Sequence, residues 1–236
     1  MIIPLKLKVG DKIGIISTAR KISLQELKPA ITILESWGLE VILGKNIFEK
    51  DHLNIDYVKN CFNEEESLYF LKTLKDKIKW KQDYIKFFGK SHPLPRLTAW
   101  YGDGNKTYTY SGIPMTPDPW NTELLEIKKR VDQYAKINFN SVLLNFYRSG
   151  NDSVSWHSDD EKELGDQPII GSVSFGGMRK FRLRNKKNKK LIHNIELENG
   201  SLLIMSELTQ QYWEHEIPKT KKKVAERINL TFRSIL

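Results

Sequence analysis

A single cysteine, Cys61, stands among 236 residues, so the chain can form no internal disulfide and no thiolate zinc site. Nowhere do eighteen apolar residues run together, which excludes a spanning helix and makes a membrane partner unexpected. Lys or Asp breaks the N-terminal stretch MIIPLKLKVGDKIGIISTAR every few positions, so no signal-peptide core is visible, and a cytoplasmic or nucleoid-associated protein is the expectation. With only 14 Gly and 9 Pro beside 39% hydrophobic residues, collagen-like and disordered chains are also excluded. A globular protein, expected as a monomer, is what these absences leave.

Base is in surplus. The formal charge is +9, with 8 basic and 6 acidic residues in 1–52 and 30 against 23 beyond. In the second stretch the base is clumped in RKFRLR (179–184), KKNKK (186–190) and KTKKK (219–223). Such clusters are either solvated lysine-rich surface or a footprint for a phosphate backbone, and charge alone does not separate the two.

Residues 1–50 read as a β-α-β unit. KIGIIS (12–17) is a short apolar strand and EVIL (40–43) a second. Between them Ser23 and Glu26 form a capping-box pattern ahead of Leu24, Leu27, Ile31 and Leu34, and Gly38 is placed to take the left-handed C-terminal position. The stretch from GDKIGIISTARKIS through LESWGLEVILGKNIF resembles the start of the LD-carboxypeptidases, cytosolic serine peptidases of peptidoglycan. That family's nucleophile and its Glu and His partners lie beyond the resemblance, so no catalytic residue carries over. We therefore read 1–51 as an appendage without activity.

From residue 52 the texture changes. Glu64–Ile78 places Leu68, Leu71, Leu74 and Ile78 at helical spacing, and Trp120–Tyr134 does so with Leu124, Leu125, Ile127 and Val131. Short strand-like runs follow at 141–147, 169–175, 180–184, 191–197, 201–205 and 227–233, separated by Gly150-Asn151, Gly176-Gly177 and Asn199-Gly200 turns. The fold class is mainly β (α+β), a barrel or jelly roll with flanking helices, preceded by the β-α-β appendage.

Of five histidines only His157 has a carboxylate at chelating distance, Asp159. In extended backbone the two side chains point to one side, with Cα atoms about 7 Å apart. Two His and one carboxylate make the facial triad of non-haem Fe(II), and His215 is the candidate third ligand. At the C-terminus, RINLTFR alternates Arg227, Asn229, Thr231 and Arg233 with Ile228, Leu230 and Phe232. If the polar face meets solvent, it is ordinary strand surface. If it lines a barrel interior, two buried guanidiniums require an anion, and a small dicarboxylate fits the span between them. A metal triad beside a dicarboxylate cradle points to 2-oxoglutarate.

The set His157-x-Asp159, His215 and Arg227-x-Asn229-x-Thr231-x-Arg233 resembles the AlkB family of Fe(II)/2-oxoglutarate dioxygenases, and most of all its members that repair alkylated duplex DNA. The resemblance covers about Leu53 to Leu236 and includes PLPRLTAWYGD (93–103), TYTYSG (107–112), LLNFYRSGNDSVSWHSDDE (143–161), GSVSFGG (171–177) and GSLLIMS (200–206). It implies a double-stranded β-helix over 52–236, with Fe(II) held by His157, Asp159 and His215, and O2 and 2-oxoglutarate as cosubstrates. It further implies that Arg227 and Arg233 bind the two ends of 2-oxoglutarate with help from Asn145, Tyr147, Asn229 and Thr231. Tyr108, Tyr110 and Ser111 match the segment that stacks on an extruded base, with Tyr110 where relatives carry Phe. Asp160 and Glu161 match acidic residues near the base edge, and Arg96 contacts nucleic acid or the rim of the site. Phe88, in Phe87-Phe88-Gly89-Lys90, matches a wedge that fills the gap left by a flipped nucleotide. The implied reaction is oxidative demethylation of 1-methyladenine or 3-methylcytosine with loss of formaldehyde. RNA in place of DNA, or a catalytically inactive nucleic-acid-binding module, are the alternatives.

Overall fold

The computed structural model describes residues 6–15, 22–44, 52–87, 89–104, 108–110, 113–115 and 117–236, so Phe88 and Ser111 lie outside the described residues. The chain divides into two compact units, Met1–Leu53 and Asn54–Leu236.

In the first unit β1 (Lys12–Ile15) and β2 (Glu40–Leu43) pair in parallel, with α1 (Leu24–Ser36) between them in sequence. Ser23 caps α1: its hydroxyl accepts from Glu26 N–H, and Glu26 returns the bond to Ser23 N–H. Gly38 ends the helix with φ of 75°, as the sequence predicts. Only Leu27 of the four apolar positions on α1 is buried within this unit, and Leu24 is exposed.

The second unit runs β3 (Ile55–Val58), α2 (Glu64–Lys77), β4 (Tyr84–Phe87), β5 (Lys90–Pro93), β6 (Leu97–Gly102), β7 (Tyr108–Tyr110), β8 (Ile113–Met115), β9 (Asp118–Pro119) and α3 (Thr122–Ala135). It continues with β10 (Ser141–Tyr147), β11 (Val154–His157), β12 (Ile170–Gly176), β13 (Arg179–Asn185), β14 (Ile192–Leu197), β15 (Ser201–Met205), α4 (Thr209–Tyr212), β16 (Trp213–Ile217) and β17 (Arg227–Arg233). Seven strands form one sheet in the order β3-β15-β12-β17-β10-β6-β9, and four form another in the order β11-β16-β13-β14. Residues of both sheets line one cavity, so they stack as a jelly roll.

The large sheet has two buried faces with different chemistry. Ile228, Leu230 and Phe232 of β17, Val142, Leu144 and Phe146 of β10, and Val173 and Phe175 of β12 join Phe70 and Leu74 of α2 and Leu124, Ile127 and Val131 of α3 in one apolar core. The alternate residues of the same strands face the cavity. Gly171 belongs to the core side because α3 lies close there: an added Cβ would press on Val131 and Phe139.

Two expectations on the helices are corrected by this packing. Leu68 is 66% exposed, and the buried stripe of α2 runs through Ser67, Phe70 and Leu74. Leu125 is likewise half-exposed, while Leu124, Ile127 and Val131 are fully buried. Both helices meet the sheet along a stripe narrower than their apolar positions allow. Periodicity marks no strand at β3 to β9, β11 or β16; all of these but β6 and β16 run only two to four residues, too few to carry a pattern.

Candidate active site

Strand pairing creates the His–Asp–His cluster. β11 lies antiparallel to β16 with His157 directly opposite His215, their ring centroids 4.2 Å apart. Asp159 follows two residues beyond His157, with Oδ1 4.0 Å from His157 Nε2. One potential ligand atom from each of the three residues lies within 4.8 Å of the others. His157 Nδ1 sits 2.8 Å from the carbonyl of Ser155, which favours a proton on Nδ1 and leaves Nε2 as the free donor atom. Phe181 stacks on His215 at 5.1 Å and closes its far side.

Burial, with His157 beside it, pushes the His215 imidazole down to about 3, so the ring is neutral and its lone pair available. Burial opposes ionisation of Asp159, yet Arg233, His215 and His157 outweigh it and hold the carboxyl down to about 2. Arg233 Nη2 donates to Asp159 Oδ1 at 2.9 Å. Asp159 Oδ2 is buried and has no hydrogen-bond partner.

The cradle strand faces inward. Arg227, Asn229 and Thr231 are all under 9% exposed, so the solvent-facing alternative for this strand does not hold. Arg227 donates through Nη2 to Ser174 Oγ at 2.9 Å and packs over the Tyr147 ring, while its Nε and Nη1 are buried without a partner. Burial lowers its pKa to about 10, and the guanidinium stays charged at neutral pH. Arg179 packs over the same Tyr147 ring and is held by the carbonyls of Ser149, Asp152 and Pro218. Asn229 Nδ2 donates to Ser172 Oγ at 2.9 Å and to the Val173 carbonyl at 2.8 Å, and Thr231 Oγ1 donates to Asn229 Oδ1 at 3.2 Å. Arg233, six residues along the strand, stands at the Asp159 end.

All nine residues assigned to metal and cosubstrate line one cavity of about 100 Å³. The substrate residues divide. Glu161 lines the cavity with Oε2 buried and unpartnered. Asp160 does not line it; its side chain is tied to Lys186 at 2.8 Å and to Ser158. Arg96 is 5% exposed and sits in the cavity wall instead of on a rim, with Nε donating to Asn145 Oδ1 at 2.7 Å and Nη1 to the Ser153 carbonyl. Tyr108 and Tyr110 belong to the β7–β8 hairpin. Phe88 and Ser111 lie outside the described residues.

Ser172 and Ser174 were not singled out in the sequence, although a signal exists. They alternate with Val173 and Phe175 in GSVSFGG, the same polar/apolar pattern that marks β17. The register pairs Ser172 with Thr231 and Ser174 with Asn229.

Residues 54–233 match the family described as the 2OG-Fe(II) oxygenase superfamily. The chain belongs to that superfamily. It is 42% identical over 180 residues to alpha-ketoglutarate-dependent dioxygenase alkB homolog 3 of Mus musculus, covering 72% of this chain and 62% of the mouse protein. With DNA oxidative demethylase ALKBH2 of Homo sapiens it shares 42% identity over 159 residues, 64% of this chain and 61% of that protein. The chain thus spans about three fifths of the length of these relatives. In fold it is similar to the solved structure of OsALKBH1, with a TM-score of 0.58 at 16% identity, over 76% of this chain and 97% of that one.

As a 2OG-Fe(II) oxygenase the chain has residues that fit both groups in the superfamily's name. A buried carboxylate oxygen without a partner, beside two imidazoles, suits a divalent ion with nitrogen and oxygen ligands. Two buried, unpartnered guanidinium nitrogens on Arg227 suit a carboxylate.

Proposed function

We propose that this chain is an Fe(II)/2-oxoglutarate-dependent oxygenase that removes alkyl groups from ring nitrogens of nucleic-acid bases, with 1-methyladenine and 3-methylcytosine in DNA as the substrate type. The observation that carries the reading is the convergence of the His157–Asp159–His215 cluster and the Arg227–Arg233 strand on one cavity. The names of the relatives, a dioxygenase and a DNA oxidative demethylase, support it.

In this reading His157, Asp159 and His215 would hold iron. Arg227, deep among Tyr147 and Ser174, binds the far carboxylate of 2-oxoglutarate, because its free donors lie at the end of β17 away from Asp159. Arg233 secures the metal end through Asp159. Asn145, Tyr147, Asn229 and Thr231 complete the polar wall, and Arg96 fixes the Asn145 amide. When bound, iron with 2-oxoglutarate and O2 would supply a two-electron oxidation of the substrate: 2-oxoglutarate loses carbon dioxide to become succinate, taking one oxygen atom of O2, and the other hydroxylates the substrate carbon. A hydroxylated N-methyl group then breaks down to formaldehyde and the unmodified base. Methylation at the pairing nitrogen leaves adenine or cytosine cationic, and the Glu161 carboxylate, whose Oε2 is buried without a partner, supplies the matching charge.

The target atom of a stacked base is out of reach, so the base must leave the helix. We assign stacking on and orientation of the extruded base to Tyr108, Tyr110 and Ser111, and the wedge to Phe88, which lies between β4 and β5 in sequence. The basic clusters at 186–190 and 219–223 contribute the backbone attraction. The testing experiment incubates the protein with Fe(II), 2-oxoglutarate and O2 and with 1-methyladenine or 3-methylcytosine in single-stranded DNA, duplex DNA or RNA. Formaldehyde and succinate released in equal amounts, most readily from duplex DNA, are the expected result. No consumption of 2-oxoglutarate with any substrate would remove the proposal.

A further inference from the structure

Asp159 lies outside the strands, unlike His157 and His215. The pairing of β11 with β16 fixes the two imidazoles against each other, but no ladder hydrogen bond fixes the carboxylate. A different element holds it. The Asp159 backbone N–H donates to Oε1 of Gln210 at 3.0 Å, and Gln210 is 1% exposed on α4, the single turn directly ahead of β16 and His215. The other end of that amide donates to Met205 Sδ at 3.5 Å, which sets which way the amide faces. Lys186 adds a second tie nearer the surface, its Nζ donating at 2.8 Å both to the Gln210 carbonyl and to the Asp160 carboxylate. The Ser158–Asp160 segment is therefore tied to α4 directly through Gln210 and indirectly through Lys186.

We propose that Gln210 is a positioning residue for the metal ion: its side-chain oxygen holds the Asp159 backbone so that the carboxylate stays in register with the two imidazoles, and Lys186 secures the same segment from outside. The proposal rests on the metal reading given above. Gln210 touches neither ion nor substrate, and it couples one ligand to the element that carries another.

The test uses the full chain and Mn(II) as a redox-inert probe, its affinity measured from the signal of free Mn(II), with and without 2-oxoglutarate. The visible spectrum of Co(II) reports ligand geometry in parallel. Gln210→Met keeps the bulk and removes the acceptor, Gln210→Glu keeps an acceptor, and Lys186→Met cuts only the outer tie. Gln210→Met should bind Mn(II) about tenfold more weakly with an altered Co(II) spectrum, Gln210→Glu should recover most of the loss, and Lys186→Met should show a smaller change in the same direction. Mn(II) affinity in Gln210→Met within about twofold of the parent, or an equal loss in Gln210→Glu, would overturn the proposal. Should Gln210→Met fail to fold, Lys186→Met decides: an unchanged affinity and spectrum overturn it, and a weakened site supports it. A parent protein that binds no Mn(II) at all defeats the metal reading instead, an outcome distinct from either.

Discussion

Arg233 Nη2 lies 2.9 Å from Asp159 Oδ1, so the strand that carries the cationic cradle also touches the carboxylate of the His–Asp–His cluster. The contact joins the two halves of the site. It also assigns the ends of β17, with Arg233 at the cluster and Arg227 at the closed end beside Tyr147 and Ser174.

Replacing Asp159 by Ala removes the only acidic member of the cluster. Metal-dependent turnover of 2-oxoglutarate should vanish, while the far-ultraviolet circular dichroism keeps its parent shape. Demethylation that survives when excess iron is added would contradict the ligand assignment.

Arg227→Ala opens the far end of the cavity and leaves a bound carboxylate unpaired. Truncating one partner of a buried charged pair costs about 2–5 kcal/mol, so the KM for 2-oxoglutarate should rise by about thirtyfold or more. Steady-state titration of 2-oxoglutarate at saturating iron measures it, and an unchanged KM would place the cosubstrate elsewhere.

Glu161→Gln keeps the shape of the side chain and removes the charge that its buried, unpartnered Oε2 carries into the cavity. The KM for a cationic alkylated base should rise about tenfold, the scale of one lost hydrogen bond to a charged group. Uncoupled turnover of 2-oxoglutarate without nucleic acid should not change. Equal kinetics for parent and variant on 1-methyladenine would show that Glu161 does not meet the base.

On α3 the packing separates neighbours. Leu124→Ala empties a fully buried position and should destabilise the fold by about 2–5 kcal/mol. Leu125→Ala, at a half-exposed position, should cost no more than about 0.5 kcal/mol. Urea unfolding of both variants reads the difference directly, and similar midpoints would mean that the helix face has been assigned wrongly.

Glu66 caps α2 and pairs with Arg130, and the hydrogen bonds from Arg130 and from the Asn63 backbone hold its pKa below the usual carboxylate range. A carboxyl lowered in the folded state adds stability above its unfolded pKa of about 4.3 and loses it as pH falls through the folded value. The melting temperature of the parent should therefore exceed that of Glu66→Gln at pH 7, and the gap should close below about pH 4. A gap independent of pH would mean that the pairing contributes through packing alone.

The sequence by itself determined which residue types meet on a face. Alternation in RINLTFR separates Arg227, Asn229, Thr231 and Arg233 from Ile228, Leu230 and Phe232, because a strand turns successive side chains to opposite sides. The one-residue gap between His157 and Asp159 likewise sets both on one side. Whether the polar face of β17 met solvent or an interior was decided only when the small sheet closed over it, since the same alternation is compatible with either. The contact of His157 with His215 required the β11–β16 register, and the contact of Asp159 with Gln210 required a segment to pack against a short helix. Both join segments far apart in the chain, and local periodicity holds no record of which distant segment becomes a neighbour.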